Sequence, residues 1–129
     1  MNEKDLLKRT KLFSLAIIRF VSMLPQTSVA RTLGNQILRS GTSVGANYRT
    51  ACRGRSVAEF IAKLGTVEEE ADESAFWLEL FIESQIAATD EAKRLWRESS
   101  ELTAIMAASR KTASGNNRKS QITPRGQMT

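Results

Sequence analysis

The sequence RSGTSVGANYRTACR, residues 39–53, decides the fold. It holds two glycines and several small hydroxyl residues, yet it lies between two segments with apolar periodicity. Read as a helix at about 100° per residue, the segment from Val29 to Arg53 has three distinct faces. Two glycines in a helix interior cost roughly 1 kcal/mol each relative to alanine. We therefore expect another backbone to approach closely at Gly41 and Gly45.

The three faces of this segment differ in polarity. One is a core stripe whose centre carries glycines where large apolar side chains would be expected. It is formed by Ala30, Leu33, Ile37, Gly41, Val44, Gly45, Tyr48, Ala51 and Cys52. The second is an uncharged polar line of Gln36, Ser40, Ser43 and Asn47. The third is a basic line of Arg31, Asn35, Arg39, Thr42, Arg49 and Arg53. The pattern predicts helix packing through Ser40, Gly41, Ser43, Gly45 and Asn47.

A glycine-rich phosphate loop is the competing interpretation of the two glycines. Such a loop ends in Gly-Lys-Ser/Thr, whose lysine reaches the terminal phosphates. Here Gly45 is followed by Ala46 and Asn47. The missing lysine favours tight helix packing.

Composition limits the chemistry of the chain. At 129 residues it is one domain by length, and two prolines among abundant Ala, Leu, Glu, Arg and Ser favour an all-α chain. Histidine, the commonest general base and usual zinc ligand, is absent from the sequence. Cys52 lies on the core stripe, which favours a small buried thiol over a nucleophile. We expect no enzyme activity, metal or cofactor.

The longest apolar run, Leu15–Leu24, is interrupted by Arg19 and follows three basic residues. It resembles a signal peptide superficially, but no small-residue cleavage site follows it and its period is helical. We therefore expect a cytoplasmic protein without a membrane segment.

Charge is segregated along the chain. Residues 1–58 hold ten Lys/Arg and two Asp/Glu, a net charge of +8, whereas residues 59–101 hold four and twelve, a net charge of −8. Residues 102–129 hold five basic residues and no acidic one. The basic blocks can pair with the acidic block inside the fold, or they can present a basic surface to an external anion.

Start and stop signals divide the chain into four helices. Pro25 ends the first, Thr27 or Ser28 can cap the second, and Ser56 with Glu59 forms a capping box for the third. The predicted helices are about Lys4–Leu24, Ser28–Arg53, Ser56–Ala88 and Thr89–Ser114. Short links predict an antiparallel up-and-down four-helix bundle of residues 1–114. Residues 115–129 form a polar, basic tail whose composition predicts disorder.

Helix 3 is apolar on two sides. Besides its core stripe, it carries Gly65, Phe76, Trp77 and Leu80 on the opposite side, mixed with acidic residues. A helix with two apolar faces must bury both or expose a patch, and such patches usually mark association sites. We interpret these four residues as a homo-oligomer interface.

The acidic run of helix 3 has two interpretations. Paired carboxylates could serve acid–base chemistry or bind a metal, but di-iron bundles use Glu-x-x-His pairs. Ion pairing with helix 2 is favoured. We expect Arg39, Glu69, Asp72 and Glu73 to form structural ion pairs.

Basic residues also line helix 1 at helical spacing. They form either a solvated surface or part of a polyanion footprint together with arginines of helix 2. The candidate nucleic-acid contacts are Lys4, Lys8, Lys11, Arg19, Arg31, Arg49 and Arg53.

The sequence resembles a known family in its central stretch and at three later sites. These are Phe60–Leu64, Glu70–Ser74 and Trp77–Leu80. They resemble bacterial four-helix bundle proteins first noticed as reading frames in intervening sequences of large-subunit ribosomal RNA genes, sometimes labelled S23 ribosomal protein. The resemblance covers roughly Leu6 to Met106.

The resemblance implies a ring-like homopentamer and no catalytic residue. It also suggests kinship with accessory proteins of diversity-generating retroelements, which bind nucleic acid and a reverse transcriptase. The leading hypothesis is a non-enzymatic homo-oligomer that binds RNA or another polyanion through basic faces. The alternative is a structural scaffold that binds a protein partner and no nucleic acid, its positive charge being consumed by pairing with residues 59–101.

Overall fold

The fold is an antiparallel four-helix bundle, as predicted. The computed structural model describes residues 1–122, with side chains through residue 116. Its helices are α1 (Glu3–Ser22), α2 (Ser28–Cys52), α3 (Val57–Glu83) and α4 (Asp90–Ile122). Contacts join α1 to α2, α2 to α3, α3 to α4 and α1 to α4, so that α1 and α3 lie at opposite corners.

Side-chain caps begin the helices. Asn2 and Asp5 form a reciprocal capping box at the start of α1, and Thr27 Oγ1 accepts a hydrogen bond from the Ala30 amide. Ser56 Oγ accepts from the Glu59 amide, but the Glu59 carboxylate accepts from the Arg55 amide instead of closing the box on Ser56. The expected capping box at α3 is therefore only half formed.

Two helix ends differ from the prediction by five residues or more. α3 ends at Glu83, five residues early, because Gln85 adopts a left-handed backbone with φ of 67° and turns the chain toward α4. α4 passes the predicted end at Ser114 and continues to Ile122. A Cβ at Gly115 would meet no neighbouring atom within 4 Å, so this glycine marks neither a turn nor a close contact. Residues 123–129 of the predicted tail lie outside the described residues.

The core follows the predicted stripes. It is contributed by all four helices, and its largest fully buried side chains are Phe81, Ile17, Ile37, Leu64, Leu78, Leu95, Leu102 and Met106. Phe81 stacks edge-on against Phe20 with ring centroids 5.3 Å apart, a favourable aromatic geometry. This contact links α1 to α3 across the bundle interior.

Candidate nucleic-acid interface

The close approach expected at the glycines lies between α1 and α2. A Cβ at Gly41 would lie 2.7 Å from two carbons of the Ile17 side chain, and one at Gly45 would lie 2.7 Å from Ser14 Oγ. Carbon atoms in good contact are about 3.5–4.0 Å apart. A Cβ at Gly41 would press on branched carbons of Ile17 close to the α1 backbone, and one at Gly45 would displace the Ser14 hydroxyl.

Ser14 occupies the gap that the glycines leave. Its hydroxyl donates to the Gly41 carbonyl oxygen at 2.9 Å and accepts from the Gly45 amide at 3.1 Å. These two backbone groups are the acceptor and donor of one i→i−4 step of α2, so a side chain of α1 joins the hydrogen-bond ladder of its neighbour. Sequence reasoning missed Ser14, because nothing in the pattern of α1 distinguishes it from other half-buried serines.

One member of the polar line of α2, Ser40, faces α3. Ser40 is fully buried, and its hydroxyl lies 2.9 Å from that of Ser74. Asn47 donates to the Ser43 carbonyl oxygen within α2. Buried hydroxyls are tolerated because each has a partner. α2 therefore packs against its two neighbours in different ways. Glycines allow close contact with α1, and serine hydroxyls contact each other between α2 and α3.

A groove of about 630 Å³ runs between α1 and α2 where the glycines bring them together. Lys11, Arg49 and Arg53 line it, and Glu3 is its one acidic residue. Because α1 and α2 are antiparallel, the start of α1 lies beside the end of α2, which places these three cations in the same half of the bundle. The floor between them is formed by small residues around Gly45.

The other four candidates are distributed more widely. Lys4 and Lys8 lie on the exposed side of α1 near the same end of the bundle. Arg19 and Arg31 lie near the opposite end, where α1 finishes and α2 begins. The fold therefore brings together three of the seven predicted contacts, with two more beside them.

None of the seven candidates forms a salt bridge within the described residues, and all seven are exposed. The salt bridges within the described residues use a different set of arginines. Those arginines are Arg9, Arg39, Arg94 and Arg110. Charge pairing inside the fold thus leaves the candidate surface uncompensated.

Arg39 pairs with α3, but with a different carboxylate set from the predicted one. It contacts Glu70 at 3.3 Å and also pairs with Glu73. Glu69 and Asp72 are exposed on the outer side of α3, away from α2, and have no salt bridge within the described residues. Glu69 lies one residue before Glu70 and Asp72 lies two residues after it, so their side chains point away from α2. Arg39 therefore pairs with Glu70 and Glu73 and not with Glu69 or Asp72.

Among the described side chains, three groups have shifted pKa values. The hydrogen bond to Glu98, and secondarily the charge of that carboxylate, raises the pKa of the Arg9 guanidinium above its ordinary value. Burial raises the pKa values of Tyr48 and Cys52. Cys52 is half-buried at the groove and stays a neutral thiol at neutral pH, which makes it a poor nucleophile.

Comparison with known proteins places this fold in a family. The family model described as 23S rRNA-intervening sequence protein matches residues 2–108. The chain belongs to that family.

A solved structure supports the assignment. This member of the 23S rRNA-intervening sequence protein family is 31% identical, with a TM-score of 0.79, to a Bacteroides thetaiotaomicron protein described as of unknown function and from the S23 ribosomal protein family. The match covers 86% of this chain and 99% of the other. A comparison with curated proteins gave no match. Kinship with retroelement accessory proteins stays a prediction.

The residues predicted to form an oligomer interface separate into two groups in this family member. Phe76 is 50% exposed and Leu80 is partly exposed on the outer side of α3. Trp77 packs against the core and donates from Nε1 to Glu73. A Cβ at Gly65 would lie 3.7 Å from the Arg110 side chain of α4. Phe76 and Leu80 therefore remain the open part of the predicted interface.

Two features are absent from the described part of this family member. It contains no group of three or more Cys, Asp or Glu side chains placed to hold a metal ion. None of its helices combines the length and the apolar character needed to span a bilayer.

Proposed function

We propose that this family member is a non-enzymatic, cytoplasmic homo-oligomer that binds RNA through the basic groove between α1 and α2. The observation that carries the proposal is the unpaired state of the candidate cations among the described residues. The carboxylates that form salt bridges pair with four other arginines, and Lys11, Arg49 and Arg53 face solvent together in one groove. Clustered cations of this kind bind the phosphates of a nucleic-acid backbone, and the release of the counterions condensed on those phosphates favours binding.

The shape of the groove supports contact with the nucleic-acid backbone. Its width comes from small residues around Gly45, and its described lining residues include no aromatic side chain that could stack on a base. Base-specific recognition of single-stranded RNA generally uses such stacking. The proposed binding is therefore insensitive to sequence and sensitive to salt. The family description, which refers to 23S rRNA, supports RNA as the first polyanion to test.

The test is the salt dependence of RNA affinity in a groove variant. Lys11, Arg49 and Arg53 are replaced by alanine together, and the fluorescence anisotropy of a labelled structured RNA is measured from 50 to 200 mM salt. Each lost phosphate contact lowers the slope of log K against log salt by about 0.7 to 0.9. We expect the triple variant to lose about two units of slope and at least tenfold in affinity at low salt.

A matched control separates the groove from net charge. Lys93, Arg97 and Lys111 are exposed on α4, and their replacement by alanine removes the same charge elsewhere. We expect the control to bind RNA nearly as wild type does. No binding by wild-type protein at micromolar concentration and low salt, or equal losses in both variants, would show that the groove is not an RNA site.

A scaffold without a nucleic-acid partner is the second candidate function. It is favoured by exposed apolar side chains on two separate helices, Leu12 and Leu15 on α1 and Phe76 on α3. Exposed apolar clusters mark association surfaces. Self-association with no measurable RNA binding in the anisotropy experiment would identify this function instead.

A further inference from the structure

A second cavity, of about 600 Å³, lies at the end of the bundle where α1 finishes and α4 begins. It is lined by the last residues of α1, by the link that follows α1, by the link between α3 and α4, and by the first residues of α4. The basic groove that contains Lys11, Arg49 and Arg53 shares no lining residue with it. This end cavity is therefore a separate site.

The turn between α3 and α4 shapes the end cavity. Gln85 reverses the chain with a φ of 67°, and the Ala87 amide then donates to the Phe81 carbonyl oxygen at 3.0 Å. This hydrogen bond holds the link against the end of α3. Because Ala87 carries only a methyl group, a space remains between the link and Phe20 of α1.

Most of the lining of the end cavity is apolar. Its apolar residues are Phe20, Met23, Leu24, Pro25, Ile86 and Ala87. Phe20 and Ala87 are buried and form its deep part, whereas Met23 is 83% exposed at its opening. Pockets of about 300 to 1,000 Å³ with a mainly apolar lining and a few polar groups are typical small-molecule sites. Methionine, being flexible, adapts to ligands of varied shape.

The charged residues of the lining are two arginines and one glutamate, a net charge of +1. Arg94 donates to the Glu91 carboxylate from Nε at 3.0 Å and from Nη2 at 2.6 Å, so these two charges compensate each other. Arg19 is exposed and forms no salt bridge within the described residues. The end cavity thus combines an apolar interior with one uncompensated guanidinium, a group that binds carboxylates and phosphates through paired hydrogen bonds.

We propose that the end cavity binds an apolar anion, a small molecule with a hydrocarbon body and one carboxylate or phosphate group. The body packs against Phe20, Leu24 and Ile86, and the anionic group accepts hydrogen bonds from Arg19. The proposal goes beyond RNA binding and requires neither the basic groove nor self-association. It gives a binding role to Arg19, which lies away from the groove.

A ligand series tests the chemistry of the site. Isothermal titration calorimetry on the full-length protein compares hexanoate, octanoate and decanoate with octyl phosphate and octylammonium, all below their micellar concentrations. We expect each added methylene of the carboxylates to tighten binding about fourfold, because it buries apolar surface. Octylammonium should not bind measurably. The tighter of octanoate and octyl phosphate identifies the anionic group that the site prefers.

A matched pair of arginine variants tests the contact with the anion. Arg19→Gln should weaken octanoate binding about tenfold or more, because it removes a hydrogen bond between charged groups. Arg31→Gln removes the same charge at the same end of the bundle, from an exposed residue that does not line the end cavity. This control should bind octanoate as wild type does.

A second pair of variants changes the charge at the opening alone. Met23→Asp and Met23→Lys both remove the same exposed apolar side chain, so any difference between them reports the added charge. We expect octanoate to bind more weakly to the Asp variant than to the Lys variant. Circular dichroism melting confirms that each variant is folded.

Three results would overturn the proposal. They are no binding of octanoate, decanoate or octyl phosphate at millimolar concentration, octylammonium binding as tightly as octanoate, and equal affinities of Arg19→Gln and Arg31→Gln for octanoate. The RNA measurement with the groove variant uses other residues, so its outcome and the outcome of this experiment are independent.

Discussion

At the scale of single residues, the α1–α2 contact depends on what Gly41 and Gly45 lack. Ile17 fills the space beside Gly41, and the Ser14 hydroxyl fills the space beside Gly45. Interiors packed at crystal-like density respond to the addition of even one carbon. The glycines therefore fix the distance between the two helices and, with it, the width of the basic groove.

Gly41→Ala should destabilise the protein. The new Cβ would lie 2.7 Å from branched carbons of Ile17, close to the α1 backbone, where the side chain cannot move away. Overpacking costs about 1 to 3 kcal/mol, against a gain of about 1 kcal/mol in helix propensity. We expect a net loss of up to about 2 kcal/mol in the free energy of unfolding, measured by urea denaturation.

Gly115→Ala is the control for helix propensity alone. No atom lies within 4 Å of a Cβ at that position in α4, so alanine should be neutral or stabilising by up to about 1 kcal/mol. Equal stabilisation by both substitutions would show that α1 does not press on Gly41.

At the scale of helices, the parts that follow from local chemistry could be predicted and the parts set by neighbours could not. Apolar periodicity predicted the four stripes, and Thr27 and Pro25 marked their boundaries because caps and breakers act within a few residues. The end of α3 is set by Gln85, a residue without a stop signal, whose left-handed conformation is imposed by the turn into α4. Sequence periodicity carries no information about such a tertiary requirement.

The candidate nucleic-acid interface also has a part that the sequence could predict and a part that depends on neighbouring helices. Lys11, Arg49 and Arg53 could be recognised as basic residues at helical spacing, but their meeting in one groove depends on antiparallel α1 and α2 and on the glycines between them. Arg39 was correctly directed toward α3, where its exact partners depend on the rotation of that helix. A one-residue change in sequence turns a side chain by about 100°, which separates paired Glu70 from exposed Glu69.

Gln85→Gly should stabilise the end of α3. Gln85 follows the helix with φ of 67°, a conformation that costs an L-residue roughly 1 kcal/mol and costs glycine almost nothing. Glycine is also the usual residue in this conformation after a helix. We expect a gain of up to about 1 kcal/mol in thermal or urea unfolding.

Gln85→Ala gives the comparison for loss of the side chain, and it should leave stability unchanged or lower. A loss of stability in the glycine variant as large as in the alanine variant would mean that the Gln85 side chain, and not its backbone, matters at this turn.

At the scale of the whole molecule, some charged residues pair between neighbouring helices and the others form the charged surfaces of the bundle. Arg39 ties α2 to α3, Arg110 ties α4 to α3, and Arg9 ties α1 to α4. Each of these arginines crosses a helix–helix boundary. The segregated charge of the sequence is thus partly consumed in joining neighbouring helices, and the remainder is exposed as a basic groove and an acidic outer face of α3.

Arg9 has a particular place in this arrangement because it joins the first helix to the last. Its Nε and Nη2 atoms each donate at 2.7 Å to the two oxygens of Glu98, and Nη2 also donates to Glu101 at 2.9 Å. The side chains of Arg9 and Glu98 are 24% and 26% exposed. Each of the other salt bridges between helices in the described residues has a larger summed exposure of its two side chains. A bidentate guanidinium–carboxylate contact has both favourable energy and fixed geometry.

A double-mutant cycle on Arg9→Ala and Glu98→Ala should therefore show measurable coupling. We expect about 1 kcal/mol from urea unfolding of the wild type, both single variants and the double variant, since partial burial reduces screening by solvent and salt. Arg94 and Glu91 are the matched pair: they lie three residues apart on α4 with side chains 59% and 42% exposed, and exposed pairs of this kind give about 0.2 to 0.5 kcal/mol. Coupling no larger at Arg9 than at Arg94 would mean that apolar packing alone closes the bundle between α1 and α4.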